Sequence, residues 1–285
     1  FIGSHIVDEL VLSGNDVVVI DDLSAPQNDK FYHNEAAKYY ELDIACDDAQ
    51  EAFNNVDVVF HLAARSRIQP TISDPNECFI VNVVGTQRVL QWAANSGVKK
   101  VIYSGTSSLY GHQNKAPFNP NMPSDCLNPY SLSKWMGEQI CKLYTQLHPM
   151  RCYVLRYFNV YGPREPLKGE YAPVIGLFKR QVLQGKPMTI VGDGSQKRDF
   201  TYIKDVVSAN LLAANLDLDY RFKVWNVGSG KNYSISELAD MIGNEKTYIP
   251  SRPAEVQTTL ADISDTIAEL RWTPKYDLET MVNSY

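Results

Sequence analysis

The strongest constraint in this chain is its rhythm. Short β-branched runs alternate with longer amphipathic stretches, and no repeat, low-complexity tract or linker interrupts them. DVVVI (16–20), VDVVFHLA (56–63), KKVIYSG (99–105) and CYVLRYF (152–158) are almost continuously apolar, as strands buried on both faces are. Helical periodicities fill 4–14, 47–54, 82–96 and 129–148, with Gly14 and Gly97 where glycines end helices. Strand, helix, strand with short joints predicts an α/β fold built on a doubly wound parallel sheet. After residue 160 the rhythm loosens: Pro and Gly become frequent, with helices near 173–184, 203–215 and 234–243. The pattern divides the chain into 1–160 and a smaller C-terminal part, 161–285, some of whose strands return to the main sheet. In such folds the ligand lies outside the carboxyl ends of the strands. Phe1 opens directly on a helical pattern, so the reading expects a fragment, with a first strand and glycine-rich turn belonging ahead of Phe1 and a last helix cut at Tyr285.

Composition narrows the partners. With 27 basic and 33 acidic residues the net charge is −6, which argues against nucleic acid or an anionic membrane but allows a local basic pocket for phosphate. No apolar run approaches the roughly 20 residues that span a bilayer. Cys46, Cys78, Cys126, Cys141 and Cys152 are an odd, scattered set without C-x-x-C. Neither a disulfide framework nor a thiolate metal site is expected, and the reducing cytoplasm is the default compartment.

Three features carry chemistry. In FIGSH (1–5), Gly3 fits the last glycine of a dinucleotide fingerprint, and Asp21 follows eighteen residues later at the end of a strand. An acid there binds the adenosine ribose hydroxyls and rejects a 2′-phosphate, which favours NAD; alone, Gly3 reads as a cap and Asp21 as a turn residue. In Tyr130-Ser-Leu-Ser-Lys134 the lysine lies one helical turn beyond the tyrosine. About one Y-x-x-x-K is expected by chance in such a chain, and a surface pair is the alternative. Asn128-Pro129 reads as a helix start, however, which places Tyr130 in the first turn, where an ammonium beside the phenol would favour a phenolate base. Thr106-Ser107-Ser108 follows a strand end and offers a hydroxyl to share a substrate oxygen with Tyr130.

FIGSH, VVVIDDLS, VFHLAA, VIYSGTSSLYG, NPYSLSK, LRYFNVYGPR, GDGSQKRDF and SRPAE occur in the order of the extended short-chain dehydrogenases that act on nucleotide sugars. The chain resembles that family along essentially its whole length, most closely the UDP-hexose 4-epimerase branch, although of the family's opening G-x-x-G-x-x-G turn it holds only the last glycine. The resemblance implies a Rossmann-like fold, NAD as cofactor, and Thr106, Tyr130 and Lys134 as catalytic hydroxyl, base and lysine. It places Phe1, Ile2 and Gly3 at the pyrophosphate, Asp21 at the ribose, Asp43 and Ile44 at the adenine edge, and Leu62, Ala63 and Ala64 along the ribose. Asn82, Ser104 and Tyr157 fall by the nicotinamide half, while Asn159, Arg198, Arg252 and Glu255 face the UDP-sugar diphosphate and uridine ribose. Guanidinium forks also match phosphate oxygens on physical grounds; each arginine taken singly reads as a surface residue.

Members share a first step: oxidation at C4 to a keto sugar. The 4,6-dehydratases carry an Asp-Glu pair after the catalytic Thr, and the decarboxylases a Glu two residues after it; here Ser107 and Ser108 hold those positions. The resemblance therefore implies C4 epimerisation. It places a gate for the C2 substituent at Thr259, small enough for the N-acetyl group of UDP-GlcNAc and UDP-GalNAc, with UDP-Glc and UDP-Gal also admitted. Two other readings stand beside it: another nucleotide-sugar enzyme of the family (UDP-glucuronate 4-epimerase, reductase or dehydratase), and a non-catalytic NAD-binding scaffold. Family members pair through the helices at 82–96 and 129–148, which carry apolar residues on more than one face, so a homodimer is expected; burial against the sheet alone is the alternative.

Overall fold

The computed structural model describes residues 1–25, 31–167, 172–243, 245–251 and 256–285. Helix α1 (Ile2–Leu12) leads to the parallel strands β1 (Val18–Asp21) and β2 (Lys38–Glu41), which pair with each other. Strand β3 (Val58–His61) is followed by the short helices α2 (Ile68–Ser73) and α3 (Pro75–Phe79). A π-helical stretch over Ile80–Gly85 then runs into α4 (Thr86–Asn95). Strand β4 (Lys100–Thr106), helix α5 (Pro129–Leu147) and strand β5 (Arg151–Tyr157) complete the N-terminal half.

The C-terminal half adds β6 (Val160–Tyr161), α6 (Val174–Leu183), β7 (Met188–Val191), β8 (Lys197–Arg198) and β9 (Thr201–Tyr202). Helix α7 (Ile203–Asn215), β10 (Phe222–Val227), β11 (Tyr233–Ser234) and α8 (Ile235–Ile242) follow, then β12 (Lys246–Ile249), α9 (Ser264–Leu270) and α10 (Leu278–Met281).

The central sheet has the order β10-β5-β4-β3, all parallel. Every residue of β4 is buried, and alternate side chains serve two cores. Val101 and Tyr103 pack toward α4 and α5, whereas Ile102 faces the layer of α7 and α9 with Tyr153, Leu155 and Trp225. Helices on both faces of a parallel sheet are the doubly wound arrangement the rhythm predicts. Among the described residues β1 and β2 form a separate sheet, and an apolar slot lined by Ile6, Ile20, Val58 and Phe60 lies beside β3. The C-terminal half folds into small two-stranded ribbons, β6-β9, β8-β11 and β7-β12, around a core of its own that includes Phe178, Ile190 and Leu238.

Two local expectations need correction. The helix over 47–54 is only a 3-10 turn at Gln50–Phe53, because Asp43 and Asp47 tie off the chain before it with hydrogen bonds from the backbone of Ala45 and Asp43. The helix over 82–96 is not regular: it opens as the wider π turn, with Gly85 pressed against Ile44. A Cβ at Gly85 would stand 2.8 Å from Ile44 Cδ1.

Candidate active site

A cavity of about 1290 Å³ extends from the slot beside β3 to the carboxyl ends of β1, β3 and β4, where a doubly wound sheet holds its ligand. The N-terminus of α1 opens on it through Phe1, Ile2 and Gly3, and a Cβ at Gly3 would meet nothing within 4 Å. Asp21, Asp43, Ile44 and Leu62 to Ala64 line the same wall. An anion is welcome at a helix N-terminus and ribose hydroxyls beside a strand-end carboxylate, so these residues fit a dinucleotide.

At the far end stand Thr106, Tyr130 and Lys134. Local chemistry delivers Tyr130 there. The Asn128 side chain accepts from Ser131 N at 2.9 Å, Ser131 Oγ answers from Asn128 N, and Pro129 occupies the first helical position. Tyr130 therefore sits in the first turn of α5, opposite the end of β4.

Burial pushes the Tyr130 phenol above its ordinary value, while the Thr106 hydroxyl and the Arg67 guanidinium pull it down. Lys134 stands one turn further along α5. Its Nζ lies over the Tyr103 ring, 4.1 Å from the centroid, and burial pulls its pKa down to about 8. Tyr103 can reach that position because Gly137 has no side chain: a Cβ there would fall 2.1 Å from the Tyr103 hydroxyl. The same hydroxyl donates to the Lys134 carbonyl at 3.2 Å.

Behind this trio runs a buried polar network. Thr86 Oγ1 gives its only proton to the Asn82 carbonyl at 2.6 Å, so His61 Nε2, 2.9 Å from Thr86 Oγ1, is the protonated nitrogen. Burial, with Lys134 nearby, drops the His61 pKa to about 3 and keeps the ring neutral. Asn82 is placed away from the cavity wall. Its amide donates to Arg65 O at 3.0 Å and Ser133 Oγ at 2.9 Å, and it accepts from Arg65 N at 2.7 Å. It is a bracket holding the loop after β3 against α5, and it fixes the backbone beside Tyr130 through Ser133, which donates to the Tyr130 carbonyl.

Ser104 and Tyr157 do face the cavity. Tyr157 donates to Asn210 Oδ1 at 2.9 Å, so Ser104 donates to the Tyr157 oxygen across 3.1 Å, and burial raises that phenol to about 12.

On the C-terminal side Asn159 lines the main cavity, held by its amide to the Asp199 carbonyl at 2.8 Å. Arg198 lies instead in a second, smaller cavity of about 330 Å³, with Ser251 and Gln257. Thr259 is buried just behind Asn159: its hydroxyl oxygen accepts from Asp199 N at 3.2 Å and Asn159 Nδ2 at 3.3 Å. Arg252 and Glu255 lie outside the described residues. A hub that the sequence did not single out joins these segments. The fully buried Asp199 carboxylate accepts from Ser229 N and Oγ at 2.7 Å each, Ala261 N at 3.0 Å and Gly230 N at 3.1 Å. Burial raises the pKa of this carboxylate, and its four donors pull against that rise.

Two further groups escaped the sequence reading. Arg67, the residue before α2, lines the cavity, and Glu165, between β6 and α6, is buried. Burial lifts the Glu165 carboxyl to about 7, against a hydrogen bond from the Tyr285 hydroxyl at 2.8 Å. Neither sits in a spacing pattern that a sequence reading could have used.

The sequence matches the profile of the NAD dependent epimerase/dehydratase family over residues 1–228. The chain belongs to that family. A putative UDP-glucose 4-epimerase of Methanocaldococcus jannaschii is 36% identical over 288 residues, covering 98% of this chain and 92% of that protein. Among solved structures, the UDP-N-acetylglucosamine 4-epimerase of Methanobrevibacter ruminantium, in complex with UDP-N-acetylmuramic acid, superposes with a TM-score of 0.91 at 32% identity, over 99% of this chain and 92% of its own. The UDP-glucuronic acid 4-epimerase of Bacillus cereus, in complex with UDP-glucuronic acid and NAD, gives 0.92 at 29% identity, over 100% and 94%. This family and these neighbours fix the Rossmann-type fold and NAD dependence as properties of the group to which the chain belongs.

Proposed function

We propose that this protein epimerises a UDP-sugar at C4, with UDP-GlcNAc/UDP-GalNAc as substrates and UDP-Glc/UDP-Gal as further ones. The single observation that carries the reading is the meeting of Thr106, Tyr130 and Lys134 at one end of the cavity, with serines at 107 and 108. Bound NAD supplies a hydride acceptor that can return what it takes. Tyr130 removes the proton from the sugar 4-hydroxyl and later gives it back, and Thr106 steadies that oxygen. Ser107 and Ser108 offer no carboxyl to expel the 6-hydroxyl or assist loss of a carboxylate, so the keto sugar is left to turn and be reduced on its other face.

Residues 1–160 hold the cofactor in this reading, through Phe1 to Gly3, Asp21, Asp43, Ile44, Leu62 to Ala64, Ser104 and Tyr157. Residues 161–285, with Asn159, Arg198, Arg252, Glu255 and Thr259, hold the nucleotide sugar. The M. ruminantium and B. cereus neighbours support the UDP-sugar class and differ in the sugar named for them, which leaves the choice to experiment. We further propose a homodimer through the helices at 82–96 and 129–148 in the cytoplasm. Val84, Leu132, Leu143 and Leu147 are exposed on this helix pair, all five cysteines are free of disulfides, and no helix of the described residues is long and apolar enough to cross a membrane.

The deciding experiment follows the sugar anomeric protons by NMR with NAD and, separately, UDP-GlcNAc, UDP-Glc and UDP-GlcA. Interconversion of UDP-GlcNAc and UDP-GalNAc to a steady ratio without NADH build-up is the expected result. NAD binding without epimerisation of any substrate would overturn the reading and favour dehydration, reduction or a scaffold.

A further inference from the structure

Lys134 poses a problem of position. A lysine has a flexible four-carbon stem and no rigid fork, so an ammonium that must act at one point needs something to hold it there. Among the described residues no hydrogen bond or ion pair ties Lys134 Nζ; the face of the Tyr103 ring meets it, 4.1 Å from the centroid. A ring face attracts a cation without an oxygen or nitrogen acceptor, so the N–H donors stay available to what the cavity holds, and Lys134 lines that cavity.

Tyr103 also grips the other end of the same residue. Its hydroxyl donates to the Lys134 carbonyl at 3.2 Å, in the notch left by Gly137 three residues further along α5. One side chain from β4 therefore holds both the backbone and the tip of Lys134. The ring itself is fixed. In the parallel sheet Tyr103 stands level with His61 on β3 and Val154 on β5. The His61 ring lies against it with centroids 5.6 Å apart, and Thr86 holds His61. Tyr103 is fully buried, and burial raises its phenol well above the ordinary value, so the ring that faces the ammonium stays neutral.

The charge on Lys134 also needs support, since burial works against it. The groups that face it are Cys141 and Glu138 on its own helix, Cys78 on α3 and the neutral His61 ring on β3. Cys141, Glu138 and Cys78 favour the ammonium through space, and Glu138 does so while bound to Arg156 at 3.1 and 2.8 Å. A cation removed from water is the kind that gains most from a ring face.

We propose that Tyr103 is the positioning residue of Lys134: its ring keeps the ammonium charged and in place for the cofactor. The proposal rests on the reading of Lys134 as part of the catalytic set. It extends the reaction centre one layer back into the sheet, to the row of His61 and Tyr103, and makes an aromatic ring at position 103 a requirement of the chemistry.

The test reads Lys134 directly and then the cofactor. With lysine carbon-13 labelled at Cε, the Lys134 methylene is the signal missing from Lys134→Arg. In the native protein the ring current of Tyr103 should displace it upfield. Tyr103→Phe keeps the ring and should keep both this displacement and the midpoint of the pH titration. Tyr103→Leu and Tyr103→Met, two ring-less variants of different shape should one fold poorly, should lose the displacement and lower the midpoint by about one pH unit. Above the native midpoint NAD affinity, and kcat with UDP-GlcNAc, should then fall roughly tenfold in the ring-less variants and recover in Tyr103→Phe. An undisplaced signal in the native protein, or a midpoint that the ring-less variants leave unmoved, overturns the proposal and leaves Tyr103 a packing residue. Equal impairment of Tyr103→Phe overturns it too, by assigning the effect to the hydroxyl. Because the carbon-13 titration needs no turnover, a protein that epimerises nothing refutes the assigned reaction while still deciding the role of Tyr103.

Discussion

Replacing Glu138 by glutamine should cost this protein about 4 kcal/mol, and the reason lies in one buried ion pair. Arg156 on β5 donates twice to Glu138 on α5, Nε to Oε1 at 3.1 Å and Nη2 to Oε2 at 2.8 Å. Its remaining nitrogen donates to the Tyr110 hydroxyl at 3.0 Å and to the Pro120 carbonyl at 2.9 Å. The two side chains are 7% and 1% exposed, so water cannot replace a lost partner. Glutamine offers one acceptor and turns an NH₂ toward the guanidinium. One charge-assisted bond, worth about 1.5–3 kcal/mol, is lost, and the cation is left without its counter-charge. Breaking a buried pair from one side costs about 3–5 kcal/mol in total. Urea unfolding should show a lower midpoint at unchanged m-value, and Tm should drop by roughly 8–12 °C. The double variant Glu138→Leu/Arg156→Met removes both charges and leaves the Pro120 carbonyl and the Tyr110 oxygen short of a donor, while Tyr110 still donates to Asn226, so it should recover to within about 2 kcal/mol of the native protein. A single variant within about 1 kcal/mol of native, or a double variant that costs the sum of its singles, refutes this reasoning.

The other predictions are more local. Glu165 titrates near 7 when folded against an ordinary 4.5, so the folded chain binds the extra proton; that stability is full below pH 4.5 and is lost as pH rises to 7, by at most about 3 kcal/mol. Denaturation at pH 5 and 7.5 should show the slope, and Glu165→Gln should flatten it. Gly137→Ala forces Tyr103 away from α5 and should destabilise by about 1–3 kcal/mol, with weaker NAD binding by titration because Lys134 loses its seat. Thr259→Tyr should raise KM for UDP-GlcNAc roughly tenfold or more relative to UDP-Glc, since a ring cannot occupy the space behind Asn159 without displacing it; equal effects on both sugars would remove Thr259 as the gate. Leu143→Glu puts a charge on the exposed apolar face of α5 and should shift sedimentation from dimer to monomer; an unchanged profile rules this face out.

Much of the framework was legible because local and global preferences agree. The β-branched run at 99–105 becomes a strand buried on every residue, and Asn128-Pro129 starts a helix through its own side chain and ring. Gly14 and Gly97 follow their helices at φ of 78° and 71°, in the left-handed region that glycine enters without strain. What was not legible depends on partners distant in sequence. The ribbons of the C-terminal half are two to four residues long, and pairing across up to 58 positions defines them. Asn82 also acts as a bracket, which was hidden because its amide matches a backbone pair at Arg65 that no spacing rule announces. Lys134 sits one turn from Tyr130, but which ring it meets was decided by the absence of a side chain at Gly137. Arg67 is one arginine in a loop, and only the fold reveals that it lines the cavity.

The Asp199 hub sets a rule for how the sugar side of the cavity can diverge. Three of its four donors, at Ser229, Gly230 and Ala261, are backbone N–H groups that every residue but proline carries. The joint is thus fastened mainly by the skeleton, yet its positions are not free: Gly230 holds a φ of 70°, where other residues are strained, and position 228 cannot grow, since a Cβ there would lie 2.4 Å from Ala261 Cβ and 2.9 Å from Asp199 Oδ2. A lineage adapting the proposed sugar wall therefore meets its limit in the skeleton, with one aspartate recording where side chain and backbone meet.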